Sequence, residues 1–178
     1  MKILKTITAS LVLFMALGVN AQNDKDQKII NDANEAKEKL MTMEVGLDPF
    51  FTNSAGYVLF PNVGKGGFII GGASGNGVVY ENGEVVGMAD LKKLSVGLQA
   101  GGQAITEVIF FETANDLEEF KKGEFEFSAE ASAVALKSGV SVNAKYKDGV
   151  AVFALPKAGL MADASVGGQK FDYTPIMK

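Results

Sequence analysis

The sequence predicts an α+β fold that is predominantly antiparallel β: a curved sheet, a sandwich or a barrel-like arrangement, with an N-terminal amphipathic helix and one short inserted helix. Three observations carry this expectation. A single long stretch, Asp24 to Met43, has helical periodicity. Beyond Pro49 the chain is cut into short apolar runs by glycine-containing turns. Hydrophobic residues at 47% with 21 glycines fit a packed, turn-rich protein and not a disordered one.

The elements follow in order. Lys2 and Lys5 precede an apolar stretch from Ile7 to Val19, and Val19-Asn20-Ala21 places small residues where a signal peptidase reads. The stretch is short of the ~20 residues of a membrane-spanning helix. Residues 1–21 are therefore expected to be a signal peptide and the protein to be exported, periplasmic or secreted. With no cysteine the chain cannot be acylated as a lipoprotein. Loss of Lys2 and Lys5 takes the net charge from −4 to −6. An acidic chain of this kind lacks the basic face that nucleic acid demands, so no nucleic-acid partner is expected.

In the helix 24–43, Ile29, Ala33, Ala36, Leu40 and Met43 recur at three- and four-residue spacing, and Ile30 and Met41 widen the stripe. Asn23 or Asp24 can cap its start, and Gly46 and Pro49 are expected to stop it. Its polar face mixes Lys25, Lys28, Lys37 and Lys39 with five acids. A membrane-surface helix is normally basic there, which favours a helix docked on its own domain.

The strand-like segments are Gly56–Phe60, ended by Pro61-Asn62; Gly67–Gly72; Gly77–Tyr80 and Val85–Met88 around the turn Glu81-Asn82-Gly83-Glu84; Leu94–Gln103; and Ala104–Phe111. A helix is expected over Ala114–Lys122 with Thr113 as its cap. Glu124, Glu126, Ser128 and Glu130 then alternate with Phe125, Phe127, Ala129 and Ala131. Val140–Tyr146 and Val150–Leu155 flank Asp148-Gly149, and Gly159–Val166 is read as the last full strand. The chain divides into residues 1–21, a helix and connector over 22–54, and a β-rich domain over 55–178 that packs with the helix.

Catalysis has few means here. All 17 basic residues are lysine, and histidine, cysteine, arginine and tryptophan are absent. That removes histidine triads, thiol nucleophiles and Cys/His metal sites, and no metal or other cofactor is expected. Gly64-Lys65-Gly66-Gly67 lacks the Ser/Thr and the helix of a phosphate-binding loop. The glycines there read as bends and close strand contacts. Glu124, Glu126 and Glu130 read as a solvated strand face. Ser95, Ser128 and Ser132 could act only with a lysine base, and no pair stands out. The chain is expected not to be an enzyme.

From Ala55 onward the sequence resembles the SYLF (Ysc84-type) family. The resemblance rests on Ala55–Val63, Lys65-Gly66-Gly67-Phe68, Gly71-Gly72 and Gly77-Val78, followed by Gly97-Leu98-Gln99-Ala100-Gly101-Gly102-Gln103. It continues through Phe120, Gly123, Phe125 and Ala129–Ser132, then Phe153, Lys157-Ala158-Gly159-Leu160 and Ala164–Gly167. These motifs stand in order over most of residues 28–168. Met88-Ala89-Asp90-Leu91 replaces the family's Trp-Ser-x-Pro segment, and Leu136-Lys137-Ser138-Gly139 its Gly-Pro-x-Gly-Arg turn.

The resemblance implies a β-rich module associated with lipid or a membrane surface. Eukaryotic members engage phosphoinositides and some bind actin, whereas bacterial members are commonly exported. The expected lipid contacts are the apolar helix face (Ile29, Ile30, Leu40, Met41), the pair Phe50 and Phe51, and the lysines Lys65, Lys92 and Lys93. Adjacent Phe50 and Phe51 cannot both enter a core if extended, which leaves one free for such a contact or for capping the sheet. The alternative is an envelope structural or protein-interaction domain that uses a sheet edge and an envelope protein as its partner.

Overall fold

A computed structural model describes residues 24–43, 45–66, 70–96, 103–128, 132–137, 143–157 and 166–176. Side chains are described for all of these except residues 65, 66, 70, 71, 94–96 and 103. The export segment and the expectations placed on residues 67–69, 97–102, 129–131, 138–142 and 158–165 lie outside the described residues. Helix α1 covers residues 24–42, α2 covers Asp48–Asn53 and α3 covers Ala114–Lys121. The strands are β1 (Gly56–Gly66), β2 (Ile70–Glu81), β3 (Glu84–Val96), β4 (Gln103–Phe111), β5 (Val134–Ala135), β6 (Val150–Pro156) and β7 (Gln169–Pro175). They form one open seven-stranded sheet in the order β5-β6-β4-β1-β2-β3-β7. All neighbours are antiparallel except β5 and β6.

The central strands carry apolar side chains on both faces, which explains why their sequences run apolar instead of alternating. On one face Tyr57, Leu59, Val78, Tyr80, Val108, Phe110, Ala151 and Phe153 pack under α1 and α2. On the other, Val58, Phe60, Val79, Ile109, Phe111 and Val152 meet Leu117 and Phe120 of α3 together with Phe127, Val166 and Phe171. Helix α3 starts at a capping box in which Thr113 and Asp116 each satisfy the other's backbone N–H.

Several strands are longer than the sequence suggests. Pro61 does not end β1. The register of β1 slips against both β2 and β4 between residues 59 and 63, so the missing N–H falls at a bulge and the strand continues to Gly66. The hairpin β2–β3 turns at Asn82 (φ 52°) and Gly83 (φ 81°), as the Asn-Gly pair requires. Strand β3 runs unbroken from Glu84 to Val96.

The sheet curls strongly. Strand β7 stands four places from β4 in the sheet, yet Gln169 Nε2 donates to Glu107 Oε2 at 3.2 Å with both side chains fully buried. Phe171 likewise approaches Phe60 of β1 at 5.9 Å between ring centroids.

The expected strand over 124–131 is reduced, among the described residues, to an isolated bridge between Glu126 and Lys170. The reason is its path. Glu126 bridges Lys170 at the β7 edge, whereas Val134 pairs with Phe153 at the opposite edge, so the two ends of this stretch do not share one neighbour. Residues 143–146, expected as strand, are irregular and end at the bridge Lys147–Val150 around Asp148-Gly149. Val166 is not the close of the β structure. Strand β7 follows it, and buried Gln169 and Phe171 alternate along it with exposed Lys170 and Asp172.

Gly77 shows how tightly the bulged strand is covered. A Cβ there would stand 2.5 Å from the Phe60 ring and 2.9 Å from the Leu59 carbonyl oxygen. Gly77→Val is expected to lower unfolding stability by about 1–3 kcal/mol through overpacking, read from urea denaturation with an unchanged slope.

Candidate functional site: an apolar cleft with a lysine rim

Helix α1 is laid along the sheet by its apolar stripe. Ala33 and Leu40 are fully buried there, and Ile29, Ile30, Ala36 and Met43 are partly buried against the same cluster. Met41 stands off the stripe and is 44% exposed. One polar contact fixes the helix further. Tyr80 donates its hydroxyl proton to Asn34 Oδ1 at 2.9 Å. Lys37 also places its ammonium 5.4–5.7 Å from the ring centres of Phe51, Tyr57 and Tyr80. Three ring faces round one cation are an aromatic cage, here filled by the protein's own lysine.

Pro49 does not simply stop a helix; it opens α2 in the first turn, where a missing N–H costs nothing. Phe50 and Phe51 are therefore helical, not extended, and their side chains diverge. Both are half-buried on the sheet. Phe50 touches Phe110, Tyr146 and Phe153, and Phe51 meets Tyr57 and Phe110 edge-on.

The lysines of the expected contact set do not come together with these residues. Lys92 and Lys93 lie on β3 opposite Lys170 and Gln169 of β7. Lys92 is exposed and forms an ion pair with Asp172 at 2.9 Å, and Lys93 is half-buried. Lys65 pairs through its backbone with Ala73 and Gln103, and its side chain lies outside the described residues.

Sequence reasoning missed a cleft at the β5–β6 edge. It encloses about 470 Å³, within the roughly 300–1,000 Å³ range of small-molecule sites. Phe127, Val150, Val152 and Val166 form a buried apolar floor, and half-buried Phe125 and exposed Val134 make its walls. Ser128, Ser132, Lys145, Lys147, Glu126 and Asp148 surround the mouth. The available signal was the alternation at 125–128, whose apolar side is the cleft and whose exposed Glu126 pairs with Lys170 at 3.5 Å. A second, shallower depression of about 590 Å³ on the α2 side shares Ala144 and Lys145 with it.

The cleft holds no obvious catalytic pair. Ser128, Ser132, Lys145 and Lys147 are all exposed. Among the described residues no cluster of three or more acidic side chains could hold a metal ion.

Fold and cleft together define a β-rich α+β module built on a strongly curved sheet and open at one edge. Residues 92–174 match the model of the Ysc84 family, described as "Las17-binding protein actin regulator", in agreement with the SYLF-like motifs of the sequence. The match takes in the end of β3, all of β4, α3, β5 and β6, and β7 up to Thr174, and with them every described residue that lines the cleft. The chain is also similar to Beta cell expansion factor A of Aeromonas veronii, with 32% identity over 83 residues. That alignment covers 46% of this chain and 32% of the relative, so the chain spans about a third of the length of the curated relative it matches.

The tyrosines under α1 give a direct probe of this face. Burial pushes the Tyr57 phenol up to about 12, and burial with the neighbouring Tyr57 raises Tyr80 as well. Both hydroxyls stay neutral in the fold above the ordinary phenol value of about 10. The stability they contribute is complete below pH ~10 and is lost as pH rises through about 12. Tyrosinate absorbance should therefore appear late in an alkaline titration, and Tyr57→Phe should weaken the alkaline loss of stability.

Proposed function

We propose that this protein is an exported, non-enzymatic module that associates with lipid or with a membrane surface. The cleft carries this reading: an apolar floor with lysines at its mouth, lying wholly inside the segment that matches the Ysc84 family. The SYLF-like motifs over residues 28–168 and the leader pattern of residues 1–21 support it. Among the described residues no helix is long and apolar enough to cross a membrane, which is consistent with contact from one side. Leu40 is committed to the sheet in this conformation, so outer contacts would fall to Met41 and to exposed lysines such as Lys92. With no arginine and an excess of acids, attachment would lean on apolar surface more than on charge.

A second reading, an envelope protein-interaction domain, is favoured by strand β7. Its outer side carries a single bridge, to Glu126, among the described residues, and such an edge can accept another strand.

Co-sedimentation with vesicles separates the two. The purified protein is expected to pellet with anionic or zwitterionic vesicles at low salt. Absence from both pellets, with a strand partner recovered by crosslinking at β7, would replace the first reading with the second.

A further inference from the structure

We infer that the cleft at the β5–β6 edge is a binding site for the monomer of a single-chain anionic amphiphile, its tail on the apolar floor and its head at Lys145 and Lys147. The inference rests on the lipid reading above and narrows it from a membrane surface to one molecule in one site.

Shape comes first. The floor residues Phe127, Val150, Val152 and Val166 are buried and sit below the surface, so a flat bilayer cannot reach them while a chain entering end-on can. At about 470 Å³ the space suits one hydrocarbon chain and not the paired chains of a phospholipid. No ionisable side chain belongs to the floor, so a tail placed there leaves no charge stranded in an apolar environment.

Charge at the mouth sets the class of head group. Lys145 and Lys147 both line the cleft and are exposed, so both ammoniums are available at its rim. Tyr146 between them does not line the cleft and packs against Phe50. Neither lysine makes a salt bridge among the described residues, whereas Glu126 is engaged by Lys170. Asp148 is the remaining acid and is held in the turn at φ 51°. A carboxylate or phosphate head would find two ammoniums and the hydroxyls of Ser128 and Ser132 around it. A fatty acid and a lysophospholipid both supply this chemistry.

The test is calorimetric titration of the purified protein with laurate and with lauroyl-lysophosphatidylglycerol, each below its micelle concentration, and with neutral dodecyl maltoside. Saturation at one molecule per chain is expected for an anionic amphiphile. Binding of laurate points to a free fatty acid as the natural source, and binding of the lysolipid alone to a membrane-derived one. Val134→Asp, at a position 37% exposed, and the double variant Lys145→Glu/Lys147→Glu should each weaken binding by about tenfold or more without shifting the thermal midpoint. Lys122→Glu, an exposed position outside the cleft, should leave it unchanged.

Three results would overturn the inference: no saturable binding of either anion, affinity unaffected by both cleft variants, or equal affinity for dodecyl maltoside. Vesicle co-sedimentation of the same preparations keeps the two readings apart. Protein that pellets with vesicles but takes up neither monomer loses the cleft assignment and keeps the membrane one, and the reverse result does the opposite.

Discussion

Burial of the sheet on both faces is the constraint from which the other features follow. Strands β1 and β4 present large side chains to either side, Leu59 and Phe110 to one and Phe60 and Phe111 to the other, all of them fully buried. Each such side chain contributes about 1.5–3 kcal/mol when removed from water. A bare sheet of this composition could not remain exposed, so each face needs a cover. Helices α1 and α2 supply one. Helix α3, the segment at 124–128 and the inward curl of β7 supply the other.

The two covers differ in kind. The α3 side is closed by the sheet itself, because curvature brings Phe171 and Gln169 over strands they do not pair with. Its polar centre, Glu107 with Gln169, is a buried hydrogen bond between strands four places apart, which ties the curl to a defined side-chain contact. The α1 side is a separate layer laid on top, held by Ala33 and Leu40 and by the Lys37 ammonium among three aromatic rings. The Ysc84 match includes most of the first arrangement and stops short of α1, α2, β1 and β2. The N-terminal half therefore supplies the two central strands that join β4 to β3, together with the helices that cover one face.

The cleft lies along the same segment. Phe125–Ser128 line it on one side and Val134 of β5, a strand of only two residues, on another. Apolar floor and polar mouth are then a consequence of strand alternation: Phe125 and Phe127 face in while Glu126 and Ser128 face out.

Much of this was legible from residue order. The periodicity of 24–43, the Thr113 cap, the Asn82-Gly83 turn and the run Val150–Leu155 correspond to α1, α3, the β2–β3 hairpin and β6, because each depends on local spacing and backbone preference. The absence of histidine, cysteine and arginine likewise bounded the chemistry before any contact was known. Tertiary structure alone decided the rest. Pro61 reads as a strand end until two neighbours are seen to slip around it, and Phe50-Phe51 read as one ring turned in and one left over until α2 turns both onto the sheet. The cleft joins residues from 125 to 166, and the curl joins 107 to 169. Such features belong to long-range packing, where a short-window pattern fixes which face a residue occupies but not which distant residue will meet it.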